Sequence, residues 1–159
     1  MRPVQLQLSE PRRETSAETD NGAPNLIVPA PDILLIDDDV IVLETISLMV
    51  RDLGLEVATA MNADSLRQAD LHHFRCIILD IWLSDSYGEE SLKILADKSY
   101  RGGVILISGK SRAEINQTAR LGLEAGLAVI GYCQKPVDKE NITQLLDRVP
   151  ALRTIIQAN

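Results

Sequence analysis

Aromatic side chains are scarce in this chain: its 159 residues hold one tryptophan, one phenylalanine and three tyrosines. A surface that binds nucleic acid by stacking successive bases draws on such residues, so that function class is disfavoured at once. Positive charge is also short. Sixteen Lys and Arg face 23 Asp and Glu, a net charge of −7, which argues against nonspecific attraction to nucleic acid or to acidic membranes. A divalent cation or a basic partner suits such a chain better. Cysteine is limited to Cys76 and Cys133, each inside an apolar run. They read as buried, reduced thiols of a cytoplasmic protein. No uninterrupted apolar run is long enough to span a bilayer, and the opening "MRPVQLQLSEPRRETSAETDNG" lacks the apolar core of a secretory signal. The expectation is a protein with no membrane and no nucleic-acid partner.

Proline is nearly absent after the first residues. Five of the seven, Pro3, Pro11, Pro24, Pro29 and Pro31, fall in residues 1–31. That stretch is otherwise polar and shows little hydrophobic periodicity, so it reads as a flexible tail. One domain is expected over residues 32–150, a size that can bury a core. Residues 151–159 read as a C-terminal helical extension.

What is present is an alternation. "ILLI" (33–36) is a short continuous apolar run, the mark of a strand covered on both faces. "VIVLETISLMVRDLG" follows with Leu43, Ile46, Val50 and Leu53 at helical spacing and Gly54 as a stop. The same exchange repeats: "LEVATA" then "NADSLRQADLH" with Asn62 as N-cap, "CIILDIWL" then "GEESLKILADK", "GVILISG" then "RAEINQTARLGLEAG", and "LAVIGYCQKP" then "DKENITQLLDRV". Five strand–helix units predict an α/β fold with a five-stranded parallel sheet, doubly wound with helices on both faces. Ligands of such sheets bind outside the carboxyl ends of the strands.

Those ends carry the chemistry. The first strand runs into Asp37, Asp38 and Asp39, the third into Asp80, the fourth into Ser108 and the fifth into Lys135 and Pro136. Carboxylates gathered at one edge form a hard oxygen site of the kind Mg²⁺ takes. A lysine and a hydroxyl opposite them can bind an anion, and an ionised carboxylate beside them can attack a phosphoryl group. The plain alternative for Asp37 and Asp38 is a solvated, helix-capping turn. For Lys135 it is a surface lysine before a turn proline, and for Ser108 an ordinary polar strand end. Asp39 is expected to cap the first helix.

Four pieces in order, "LLIDDD", "IILDIWLSDSYGEE", "ILISG" and "QKP", resemble the receiver domains of bacterial two-component response regulators. The resemblance spans about residues 32–149 and implies a flavodoxin-like (βα)5 fold with strand order 2-1-3-4-5. It implies that Asp80 is the phosphoacceptor, and that Mg²⁺ is held by Asp37, Asp38, Asp80 and the backbone carbonyl of Trp82. Ser108 and Lys135 would bind the phosphoryl group, with Ser108 and Tyr132 as switch residues and Gly88 and Pro136 as structural turn residues. The implied partners are a histidine kinase or a histidine phosphotransfer protein, and an output partner. A homodimer is compatible with the family. Phosphorylation and hydrolysis would be self-catalysed, so the chain is expected to be a switch and not an enzyme acting on an outside substrate.

Two departures stand out. Ser84 occupies a position where the family often has proline, and Trp82 and Lys110, two residues beyond Asp80 and Ser108, flank the path of the hydrolytic water. The long segment from Ser108 to Lys135 resembles receivers joined to EAL-type phosphodiesterase domains, although no EAL domain is present here. Two competing readings remain. "IDDDV" also fits a haloacid-dehalogenase-like phosphatase with Asp37 as nucleophile and Asp39 as acid, but no later acidic pair follows a strand. An unphosphorylated pseudo-receiver would need no intact site, yet the acidic pair, Asp80 and Lys135 are all there.

Overall fold

The computed structural model describes residues 30–159, so the expected tail falls outside the described residues except for Ala30 and Pro31. The main sheet has five parallel strands: β1 (Ile33–Ile36), β2 (Val57–Ala60), β3 (Cys76–Asp80), β6 (Gly103–Ser108) and β7 (Ala128–Gln134). Their spatial order is β2-β1-β3-β6-β7, the expected 2-1-3-4-5 order counted along the sheet. Two short strands the sequence did not announce, β4 (Trp82–Leu83) and β5 (Ser86–Tyr87), form a separate antiparallel hairpin.

The continuous apolar runs are explained by the two-residue period of a strand. In β1, Leu34 and Ile36 enter one core and Ile33 and Leu35 the other. In β3, Ile77 and Leu79 oppose Cys76 and Ile78, and in β6, Val104 and Leu106 oppose Ile105 and Ile107. Each face needs its own cover, so neither side of these strands can be polar. The first core is covered by α2 (Asp64–Gln68), α3 (Gly88–Asp97) and α4 (Arg112–Glu124), through Leu66, Leu92, Leu95 and Ile115. The second is covered by α1 (Val40–Arg51), α5 (Lys139–Asp147) and α6 (Pro150–Gln157), through Leu43, Ile46, Val50, Ile142, Leu146 and Leu152. Fully burying one such side chain contributes about 1.5–3 kcal/mol.

Local signals set the boundaries. Asp39 caps α1 by accepting from the Ile41 N–H at 2.8 Å. Ser111 and Glu114 form a reciprocal capping box at the start of α4, and Asp138 caps α5. Gly54 and Gly126, at φ 77° and 82°, take the left-handed conformation just after α1 and α4. The expected cap Asn62 accepts from the Ser65 N–H at 3.0 Å from one residue before the N-cap, which is Ala63, and α2 is only five residues long. The chain then passes through a 3-10 turn over Leu71–His73. Pro150 opens α6 at its first turn, where its missing N–H costs nothing. Arg75 ties that helix back by donating to the Ala151 carbonyl at 3.0 Å. Both cysteines are buried and unpaired, and burial pushes their thiols up, Cys133 to about 11. No helix among the described residues is long and apolar enough to cross a membrane.

Candidate functional site

The parallel register decides which strand-end residues meet. Ile36 pairs with Leu79 and Asp80 with Ile107, so Asp37, Asp80 and Ser108 leave the sheet at one edge. Asp37, Asp38 and Asp80 each present a carboxylate oxygen within a group whose atoms all lie within 4.8 Å of one another. Asp37 and Asp80 are buried and Asp38 half-buried. Lys135 reaches in from the end of β7. Its Nζ donates to Asp80 Oδ2 at 2.8 Å and lies 2.6 Å from Asp37 Oδ2. The contact with Asp37 is off the direction of a hydrogen bond, which leaves that buried oxygen without a directed donor.

The electrostatics follow from burial and crowding. Burial pushes the Asp80 carboxyl above its ordinary value, the Lys135 hydrogen bond and the Trp82 N–H pull it part of the way back, and the Asp37 charge pushes it up again. Burial alone would lower the Lys135 ammonium, yet the two carboxylates beside it win and hold it above its ordinary value. Three carboxylates thus share one ammonium, a deficit of two positive charges in a low-dielectric pocket. All the donor atoms are hard oxygens, so the cluster fits a divalent ion such as Mg²⁺ in charge and in chemistry.

The hairpin supplies the outer wall. The Trp82 N–H donates to Asp80 Oδ1 at 3.0 Å, and the Ser84 N–H donates to Asp38 Oδ2 at 3.0 Å. The second bond accounts for the departure at position 84, since proline has no N–H to give. Next to it, Asp85 accepts from the Ala63 N–H at 3.2 Å at the start of α2. Trp82 is 40% exposed. Its ring packs edge-on against Tyr87, centroids 5.1 Å apart, and carries the Lys110 ammonium 4.3 Å from its centroid. Strands this short carry no alternation to detect, although the surrounding "SDSYG" is rich in turn residues.

The other expected residues divide. Ser108 is fully buried, and its Oγ accepts from the Lys110 N–H at 3.0 Å, which leaves its own O–H proton to donate. Tyr132 is half-buried, paired with Leu106 and packed against the first core. Pro136 follows Lys135 through a cis peptide bond. Gly88 is the first residue of α3, and its role is close packing: a Cβ there would stand 2.8 Å from Ile81 Cβ. Asp39, the acid a phosphatase would require, instead caps α1 with its carboxylate.

Comparison with known proteins agrees with this geometry. The family model for the response regulator receiver domain matches residues 33–147. No curated protein matches the chain. Among solved structures, a response regulator from Colwellia psychrerythraea is similar at 23% identity and a TM-score of 0.65, covering 82% of this chain and 100% of that one. Chemotaxis protein CheY4 of Vibrio cholerae is similar at 24% identity and a TM-score of 0.63, with 76% and 99% covered. NtrX of Brucella abortus, solved in complex with ATP, is similar at 28% identity and a TM-score of 0.63, with 82% of this chain but only 28% of that chain covered. With the family model spanning most of the described residues and the strand-end cluster in place, the chain belongs to the response regulator receiver domain family.

Proposed function

We propose that this receiver is a phosphoacceptor switch in which Asp80 takes a phosphoryl group from a histidine kinase or a histidine phosphotransfer protein. The observation that carries the reading is the shared lysine: Lys135 Nζ lies 2.6 Å from Asp37 and 2.8 Å from Asp80, inside a cluster that stays two positive charges short. A carboxylate oxygen of Asp80 forms a bond to phosphorus while the phosphorus–nitrogen bond of the donor phosphohistidine breaks and imidazole leaves. Asp37, Asp38, Asp80 and the Trp82 carbonyl would hold Mg²⁺, which supplies charge neutralisation for the phosphoryl oxygens. Lys135 pairs with a phosphoryl oxygen once Asp80 is modified, and the free O–H proton of Ser108 is donated to another. Tyr132 responds from the neighbouring strand. The same pocket catalyses slow loss of the group, so the chain acts as a switch and not on an outside substrate. The cytoplasm is the compartment of such donors. The output is a partner protein or an attached module, an EAL-type domain in the reading of the segment from Ser108 to Lys135. The limited coverage of NtrX is compatible with a receiver carried within a longer chain.

The test is incubation with acetyl phosphate and Mg²⁺ followed by intact mass. Wild type should gain one phosphoryl group per chain and Asp80→Asn none. A phosphoryl group mapped to Asp37, or none in the wild type, would overturn the reading.

A further inference from the structure

Beside the acidic pocket lies a second concavity that the phosphoacceptor chemistry does not use. It has a volume of about 290 Å³ and is walled by Trp82, Tyr87, Glu89, Glu114, Gln117 and Thr118 over a floor of Ile81. That is at the low end of the roughly 300–1,000 Å³ of small-molecule sites, room for a single side chain and not for a nucleotide. Two aromatic rings and two carboxylates line it, and the Lys110 ammonium stands over one of the rings. Tyr87 is 65% exposed. Glu89 makes no hydrogen bond or ion pair among the described residues, and Glu114 is held below the usual carboxylate range by the Ser111 hydroxyl and N–H. The Trp82 ring already accepts a cation, since Lys110 lies over it. Lys110 is exposed and makes no close ion pair among the described residues, although its charge helps hold the Glu114 carboxyl down; an arriving guanidinium would take over its place on the ring.

We infer that this cleft between the β4–β5 hairpin and the α3–α4 face binds an arginine side chain presented by a partner protein. Charge complementarity selects a cation, and the aromatic walls favour a flat one. A guanidinium stacks on aromatic faces and forks toward carboxylates, which an ammonium cannot do as well. Trp82 is common to both sites, through its N–H at Asp80 and through its place in the cleft wall. The bound arginine therefore packs on the side chain of the residue whose own N–H donates to the phosphoacceptor.

The probe is the peptide acetyl-Gly-Arg-Gly-amide, titrated into the full chain while the emission of its one tryptophan is followed. The control is the same peptide with citrulline, which keeps the shape and removes the charge. A saturable response to the arginine peptide is expected, with the citrulline peptide and Glu89→Gln each weakening binding by about fivefold or more. Lys110→Gln should tighten it by freeing the ring. Equal binding of the two peptides, or wild-type binding by Glu89→Gln, would overturn the inference. The chain's own Arg12 and Arg13 are the rival occupants. If Arg12→Ser with Arg13→Ser bound the peptide about tenfold more tightly, by removing an internal competitor, the assignment to a partner would fall.

Discussion

Two lysine–carboxylate contacts in this molecule have the same length and opposite meanings. Lys93 Nζ lies 2.6 Å from Asp97 on α3, with side chains 74% and 63% exposed. Lys135 Nζ lies 2.6 Å from Asp37, with side chains 21% and 0% exposed. On the helix, water screens both charges, and such a pair contributes about 0–1 kcal/mol. In the pocket, Asp37 and Asp80 are cut off from most water, their charges are largely desolvated, and compensation must come mainly from other protein groups. Distance alone does not rank these contacts. What separates them is that the buried one is incomplete: one ammonium serves three clustered carboxylates, and Asp37 Oδ2 lacks a directed donor. A fold stabilised for its own sake would have no reason to keep such a deficit; a site awaiting a cation would.

The largest effect is expected at Lys135. In metal-free protein, Lys135→Met keeps the bulk and removes the compensating charge, so unfolding by urea should show a loss of about 3 kcal/mol. An effect as small as that of a surface pair would mean that water reaches the pocket and that the contrast drawn here fails.

Burial holds the Asp80 carboxyl above its ordinary value, so on acidification the folded chain takes up this proton before the unfolded chain does. The group's contribution to stability therefore rises as pH falls toward the ordinary carboxylate value of about 4 and is lost as pH rises through the folded value. Asp80→Asn has no such proton. The stability of metal-free Asp80→Asn relative to wild type should grow with pH through the mildly acidic range, in parallel urea titrations. A pH-independent difference would contradict the assigned direction.

The smallest effect belongs to the exposed pair. Lys93→Ala should leave the unfolding midpoint nearly unchanged, within about 0.5 kcal/mol, and its response to salt should be lost along with the charge.

Most of the fold was legible because its strands are buried on both faces. Runs such as "ILLI" and "VILI" have no polar alternative in an α/β fold, and the order of strand and helix then placed Asp37, Asp38, Asp80, Ser108 and Lys135 on one edge. The N-cap role of Asp39 followed from its place before a periodic segment, and the structure has it. The hairpin over 82–87 was not legible, because strands of two residues carry no period to detect. With it went the Ser84 and Trp82 N–H donors, since a backbone group leaves no mark in side-chain identity. The sequence marks Gly88 only as a turn residue, yet its constraint is the Ile81 side chain 2.8 Å from where a Cβ would stand, a tertiary contact between residues seven apart.

If a divalent cation makes good the buried deficit, the thermal unfolding of the chain depends on Mg²⁺ concentration. A ion that binds only the folded chain stabilises it by about 2.7 kcal/mol at a hundredfold excess over Kd. The melting temperature of the wild type and of Lys93→Ala should climb together with added Mg²⁺, while Asp38→Ala, which starts with one repelling charge fewer, should begin higher and climb little. An equal Mg²⁺ response in wild type and Asp38→Ala would mean that the acidic cluster is not where the cation binds.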